Sequence, residues 1–198
     1  MSPYEKCPVF ENENYLLRFV EMGDVPDLYL VYSDEKAVPL FNSDNCINEF
    51  YCTSLERMKQ TIEFWKHEYQ KNYYVRWTIW DKNAHHAIGT IELFNRKAED
   101  YFNNCGLLRL DLRSDYEYED KITEILSLIL VSAFELFECK MIATKVPAFA
   151  TKRKIAVEKL GFVLSEEILV GGHDGRNYTN YYVLQKKMNH QNYKEFNY

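Results

Sequence analysis

The chain has 198 residues, 46% of them hydrophobic and 27% charged, with a formal net charge of -6. This suits one globular domain with a sizeable core and no dividing linker. The acidic balance argues against neutralising nucleic-acid phosphates. No apolar run reaches the ~18 residues of a membrane span, and the N-terminus lacks a signal-peptide core, so a cytoplasmic protein with no nucleic-acid or membrane partner is expected.

Residues 15–20 (YLLRFV) read as a first strand. Gly23-Asp24 breaks it, and Asp24 is placed to N-cap a helix with Pro26 in its first turn. Residues 35–51 hold Pro39 and an Asn/Asp/Ser cluster, which predict short helical pieces and loops. Thr53 or Ser54 then caps a helix whose apolar face is Leu55, Met58, Ile62, Trp65 and Tyr69. Residues 73–80 and 87–95 are rich in β-branched and aromatic side chains and form an antiparallel hairpin. Next, Leu108, Leu110 and Leu112 alternate with Arg109, Asp111 and Arg113, the period-two pattern of a strand. The period then becomes helical at Ile122, Ile125, Leu126, Ile129, Leu130, Ala133 and Phe137, a stripe widened by Leu128, Val131 and Leu136. Residues 140–147 form another strand, followed by a basic helix ended by Gly161. Residues 162–170 and 178–186 form a last strand pair across the turn at 171–177. The domain is thus placed at residues 1–187, with a polar, frayed tail at 188–198. The order predicts an α/β (α+β) fold: one mixed, mostly antiparallel sheet of about seven strands flanked by helices.

The turn at 114–120 joins a strand to a long helix. Such a helix start is where α/β proteins hold phosphates, because unpaired N–H groups and the helix dipole point outward. Other motifs carry less. Cys7, Cys46, Cys52, Cys105 and Cys139 lack CxxC spacing and read as reduced thiols. His85 and His86 point to opposite faces of a hairpin with no acid or thiol at ligand spacing, so no metal is expected. The glycines at 171–175 join two strands and make a turn rather than a phosphate loop.

Three stretches, together with the element order, resemble the GNAT superfamily of acyl-CoA-dependent N-acyltransferases. They are His86-Ala87-Ile88-Gly89-Thr90-Ile91, the strand-turn-helix unit at 107–137, and Glu158-Lys159-Leu160-Gly161-Phe162. The resemblance covers residues 15–186 and is closest to the branch containing the ribosomal-protein alanine acetyltransferases. It implies a GNAT-like sheet, acetyl-CoA as co-substrate, and a primary amine of a small molecule or a protein N-terminus as acceptor. A homodimer would be compatible with it.

The resemblance also implies the site. The thioester would lie against strand backbone at Leu110, Asp111 and Leu112. The pyrophosphate would meet Tyr118, Glu119, Asp120, Lys121 and Ile122. The chain departs from the family's glycine-rich loop there: 115–120 reads DYEYED, with both glycines replaced and like charge beside an anion. Non-glycine residues can still present their amides if φ stays negative and the carboxylates of Glu117, Glu119 and Asp120 turn to solvent. Lys121, with Lys152, Arg153 and Lys154, would supply the missing charge; the alternative is a solvated basic helix end. Ala150 and Arg153 stand where relatives have Asn and then Ser or Ala, and Val157 stands where many have a general-acid Tyr. The family's fourth-strand acid falls near Leu107, with Asn104 and Asp111 nearby. Glu92 on the neighbouring strand is therefore the candidate base, its pKa raised by burial; otherwise it is a rim carboxylate paired with Arg109 or Arg76. Two functions follow: an N-acetyltransferase, or a catalytically degenerate domain of the same fold serving ligand binding or assembly.

Overall fold

The computed structural model describes residues 2–46 and 50–186; the tail at 188–198 lies outside them. Strands β1 (Phe10–Glu11) and β2 (Tyr15–Phe19) lead into helix α1 (Val25–Tyr32) and then α2 (Leu55–Gln70). Strands β3 (Val75–Asp81), β4 (His86–Arg96) and β5 (Cys105–Leu112) precede α3 (Glu119–Leu136), β6 (Met141–Lys145) and α4 (Thr151–Lys159). The chain closes with β7 (Val163–Leu164), β8 (Leu169–Val170), β9 (Asn177–Tyr178) and β10 (Tyr181–Gln185). Eight strands form one sheet in the order β1-β2-β3-β4-β5-β6-β10-β7, and β8 and β9 form a separate ribbon. All neighbours are antiparallel except β5 and β6, which are parallel because α3 crosses over between them.

The periodicities find their faces. Ile122, Ile125, Leu126, Ile129, Leu130, Ala133 and Phe137 are all buried in one core with Leu108, Leu110 and Leu112. A second core lies on the opposite face, under α1 and α2, around Leu28, Tyr32, Met58, Ile62 and Trp65. Ser54 caps α2 as expected, its Oγ accepting from Arg57 N at 3.1 Å.

Three expectations are corrected. Asp24 makes no capping bond to α1; its carboxylate instead takes Arg18 at 2.5 Å and the Thr78 hydroxyl at 2.6 Å. Leu55 and Val131 are exposed, at 52% and 86%: Leu55 is the first residue of α2, ahead of its packed turns, and Val131 lies on the face of α3 opposite the buried stripe. The predicted last strand pair is broken: β10 pairs with β6 and with the short β7, while β8 and β9 pair apart from the sheet. The expected mixed, mostly antiparallel sheet of about seven strands is present, the two-residue β1 making an eighth.

Candidate active site

The site begins where β5 outruns its partner. The parallel pairing runs from Cys105↔Met141 to Leu108↔Thr144 and stops. β6 ends at Lys145 and Pro147 follows, so the chain cannot continue the ladder and turns into α4. β5 goes on to Leu112, still paired with β4 on its other side. Arg113 N donates to Ile88 O at 3.0 Å on the β4 side. By strand alternation, Leu110 and Leu112 turn their amides and carbonyls toward the unpaired edge.

Arg153 stands at that edge. Its Nη1 donates to Leu110 O at 2.8 Å and to Leu40 O at 2.8 Å. Its Nε donates to Glu117 Oε2 at 3.2 Å and its Nη2 to Glu117 Oε1. Both residues are buried, at 3% and 8% exposure. Two expectations are corrected here. Arg153 is no free cation on a helix end, and Glu117 does not splay to solvent; each is the other's partner.

Next along the chain is the start of α3. Tyr118 is its extended N-cap residue, at φ -118° and ψ 144°, and makes no side-chain capping bond. Ile122 N is the first amide to bond back into the helix, to Tyr118 O at 2.9 Å, leaving those of Glu119, Asp120 and Lys121 as the helix's open donors. None of the residues from Arg113 to Ile122 has a positive φ. The carboxylates are largely neutralised: Asp115 takes Arg113 at 2.7 Å and Glu119 takes Lys159 at 2.7 Å, with Asp120 exposed. Lys152 Nζ lies 4.0 Å from the centroid of the Tyr118 ring, and Lys121 Nζ lies 4.2 Å from that of Tyr116 and 5.6 Å from that of Tyr118. Tyr118, Lys121 and Lys152 therefore gather around the open amides. Ile122 points into the core instead, fully buried.

Behind β5, on the α1 and α2 face, lies a buried ionic layer. The register sets Arg76 opposite Glu92 and Glu92 opposite Arg109, with Thr90 opposite Asp111 in the adjacent row. Glu92 accepts from Arg76 Nη2 and from Arg109 Nη1, the latter at 2.7 Å. Arg76 Nη1 reaches Asp111 Oδ2 at 3.1 Å, Thr90 Oγ1 at 2.9 Å and Tyr32 OH at 3.0 Å, and Tyr32 OH donates to Asp111 Oδ2 at 2.6 Å. Trp65 covers the Arg76 guanidinium at 4.2 Å.

The pKa expectation for Glu92 is reversed. Burial pushes it up, but the two guanidinium charges and their hydrogen bonds bring it below the usual carboxylate range. Nor is Glu92 a rim residue: it is 1% exposed and pairs with both arginines. Asp111 behaves oppositely. Burial raises its pKa more than Arg76 and Tyr32 lower it, and its Oδ1 is buried without a partner.

A groove of about 490 Å³ opens on the same face, floored by Phe94, Leu107 and Tyr181 and walled by Leu169 and Val170. Asp44 closes its inner end. It is buried, bound by Lys145 Nζ and by Tyr181 OH at 3.1 Å. Arg96 ties the wall down through Asp100 at 2.5 Å and Val170 O at 2.6 Å.

Reading by sequence gives the pairing of Glu92 with Arg109 or Arg76 but not its burial between both arginines, and it misses the Tyr32–Asp111 bond and the Arg153–Glu117 pair. A signal for the Arg76–Glu92–Arg109 row existed: the central stretches of β3, β4 and β5 each carry two polar residues two apart (Arg76/Thr78, Thr90/Glu92, Arg109/Asp111) among apolar neighbours. Among the described residues no group of three acids, histidines or cysteines could hold a metal, and no helix is long and apolar enough to cross a membrane.

No family profile and no curated protein matches the chain. Solved structures do. A ribosomal L7/L12 alpha-N-protein acetyltransferase in complex with coenzyme A superposes with TM-score 0.67 at 14% identity, over 90% of this chain and 98% of that one. A GNAT-family acetyltransferase from Bacillus anthracis gives 0.66 at 14% identity, over 90% and 98%. A ribosomal-protein-S5-alanine acetyltransferase from Vibrio fischeri gives 0.65 at 18% identity, over 90% and 96%. With its sheet order, its single parallel pair and the β5–α3 turn, the chain has the fold of the GNAT acetyltransferases.

Proposed function

We propose that the protein is an N-acetyltransferase that transfers acetyl from acetyl-CoA to a primary amine, on a small molecule or a protein N-terminus, and that residues 1–187 form one such domain. The observation that carries this reading is the junction of an unpaired strand edge with an open helix start. Leu110 and Leu112 offer amides and carbonyls that can pair with the amide-bearing arm of an acyl-CoA. One turn on, the open amides of α3 with Lys121 and Lys152 suit its pyrophosphate. Three of the four acids that would repel an anion are already paired. The likeness to acetyltransferases, one of them in complex with coenzyme A, supports the same use of this edge.

Acetyl-CoA supplies an activated thioester; the chain supplies position and a proton acceptor. The acceptor amine enters by the groove beside Phe94 and Tyr181 and loses its ammonium proton before its nitrogen attacks. Asp111 suits that task better than Glu92. It lies on the strand that forms the edge, its pKa is raised, and one of its buried oxygens has no partner among the described residues. Glu92, fixed between two guanidinium groups, is a positioning residue that holds Arg109 and Arg76. The acceptors named for two of the similar structures are an alanine of ribosomal protein S5 and the α-amine of L7/L12; for this chain a protein N-terminus is part of the proposal.

The test is acetyl transfer from acetyl-CoA to a panel of amines and N-terminal peptides, read by free-thiol release and mass of the product. Turnover is expected, with Asp111→Asn lowering kcat about 100-fold or more, the ordinary size of a general-base contribution, at unchanged CoA affinity. Neither turnover nor CoA binding in the wild type would overturn the reading.

A further inference from the structure

The unpaired edge of β5 is not empty: the protein fills it with its own side chain. Arg153 reaches from the first turn of α4 across the gap left by β6 and donates to Leu110 O, the carbonyl an added ligand strand would need. The same nitrogen binds Leu40 O beyond α1, and the rest of the guanidinium is bound by Glu117, two residues before α3. One residue thus closes four segments over the edge: α4, β5, the turn after α1 and the turn before α3. The groups are buried, so the charge of Arg153 is held there only while Glu117 compensates it. Lys152, its neighbour, faces outward to Tyr118.

We infer that the Arg153–Glu117 pair is a gate on the cofactor edge of β5: acyl-CoA enters by displacing Arg153 from Leu110 O, and the pair sets both affinity and rate of binding. This rests on the proposed use of the edge by acyl-CoA. The closed arrangement binds Arg153 in place of ligand, so the observed affinity is the intrinsic one reduced by the fraction of molecules with the edge open. A carboxylate on Glu117 keeps that fraction small. Without it, a buried guanidinium facing only carbonyl oxygens is uncompensated and leaves for solvent.

The experiment titrates CoA into full-length wild type, Glu117→Gln, and the double variant Glu117→Gln/Arg153→Gln, by calorimetry for Kd and stopped flow for rate. The double variant keeps two hydrogen-bonding side chains of similar size without a buried charge, and carries the test if the single variant does not fold. The gate predicts Kd about tenfold or more tighter and faster association in the variants, on the scale by which closed states reduce apparent affinity. Unchanged Kd and rate in a folded variant would overturn the gate and leave the edge as the cofactor site. Weaker binding would also overturn it, showing that the pair belongs to the bound state. CoA binding by none of the three would overturn both the gate and the acetyltransferase reading.

Discussion

Glu92 has an arginine on either side across the sheet, and those neighbours decide its chemistry. A carboxylate with two guanidinium partners in a buried layer stays ionised and cannot serve as a base tuned toward neutral pH. Glu92→Gln is expected to lower stability by about 3–5 kcal/mol, since it leaves Arg76 and Arg109 buried without their shared anion. Urea unfolding measures this; a loss below about 1 kcal/mol would show the layer is solvated. Asp111 gives the opposite pH behaviour. Its folded pKa is raised above the ordinary 3.8, so the native state binds its proton more tightly than the unfolded chain does. Stability from this group is full below that ordinary value and is lost as pH rises through the folded one. The stability of Asp111→Asn relative to wild type should therefore improve as pH rises from the ordinary 3.8 through the raised folded value. The missing Tyr32 bond is a pH-independent cost on top. A wild-type-minus-variant difference flat across that range would show that Asp111 is not perturbed.

At the scale of elements, the start of α3 replaces a glycine loop by charge and pairing. Lys121 and Lys152 stand over tyrosine rings beside the open amides. Replacing each by Ala should weaken CoA binding by about 0.5–1 kcal/mol at low salt, the ordinary worth of an exposed charge contact, and flatten the salt dependence. Calorimetry at two ionic strengths reads both effects, and equal losses in high salt would point to packing rather than charge. Replacing the acids should help less than simple repulsion implies, because Asp115, Glu117 and Glu119 are already paired and Asp120 alone among them is not. Two glycines hold neighbouring elements. A Cβ at Gly89 would sit 2.1 Å from Asp111 O, against the very strand that forms the edge; Gly89→Ala should therefore force β4 away from β5. Gly161 ends the α4 region at φ +90°, so Gly161→Ala should cost about 1–2 kcal/mol in urea unfolding.

At the scale of the molecule, the cofactor edge lies between two halves of one sheet. α4 and the turns after α1 and before α3 all meet there through Arg153, so ligand binding should couple to global stability. CoA at about 100 times its Kd is expected to add about 2.7 kcal/mol to unfolding, seen as a rise in Tm. The gate subtracts from that gain by whatever closing energy the ligand must displace.

Much of the fold was legible in the chain, because periodicity is a local property. The α3 stripe from Ile122 to Phe137, the Ser54 cap and the alternation at Leu108, Leu110 and Leu112 needed only neighbouring residues to be read. The resemblance carried by Gly89, by the 107–137 unit and by Glu158 to Phe162 pointed to the same sheet. Partnership was legible only for Glu92, whose pairing with Arg109 or Arg76 could be read but not its burial between both. Arg153 and Glu117 lie 36 positions apart, and nothing local says that one of the three consecutive basic residues opening α4 turns inward. Glu92 and Arg109 look like an outward strand face until α1 and α2 cover it. That cover makes their charges an internal layer and sets Asp111 under Tyr32. Local sequence determined which way each element repeats; the packing of helices over the sheet decided which charges lost their water, and with it which acid could take a proton.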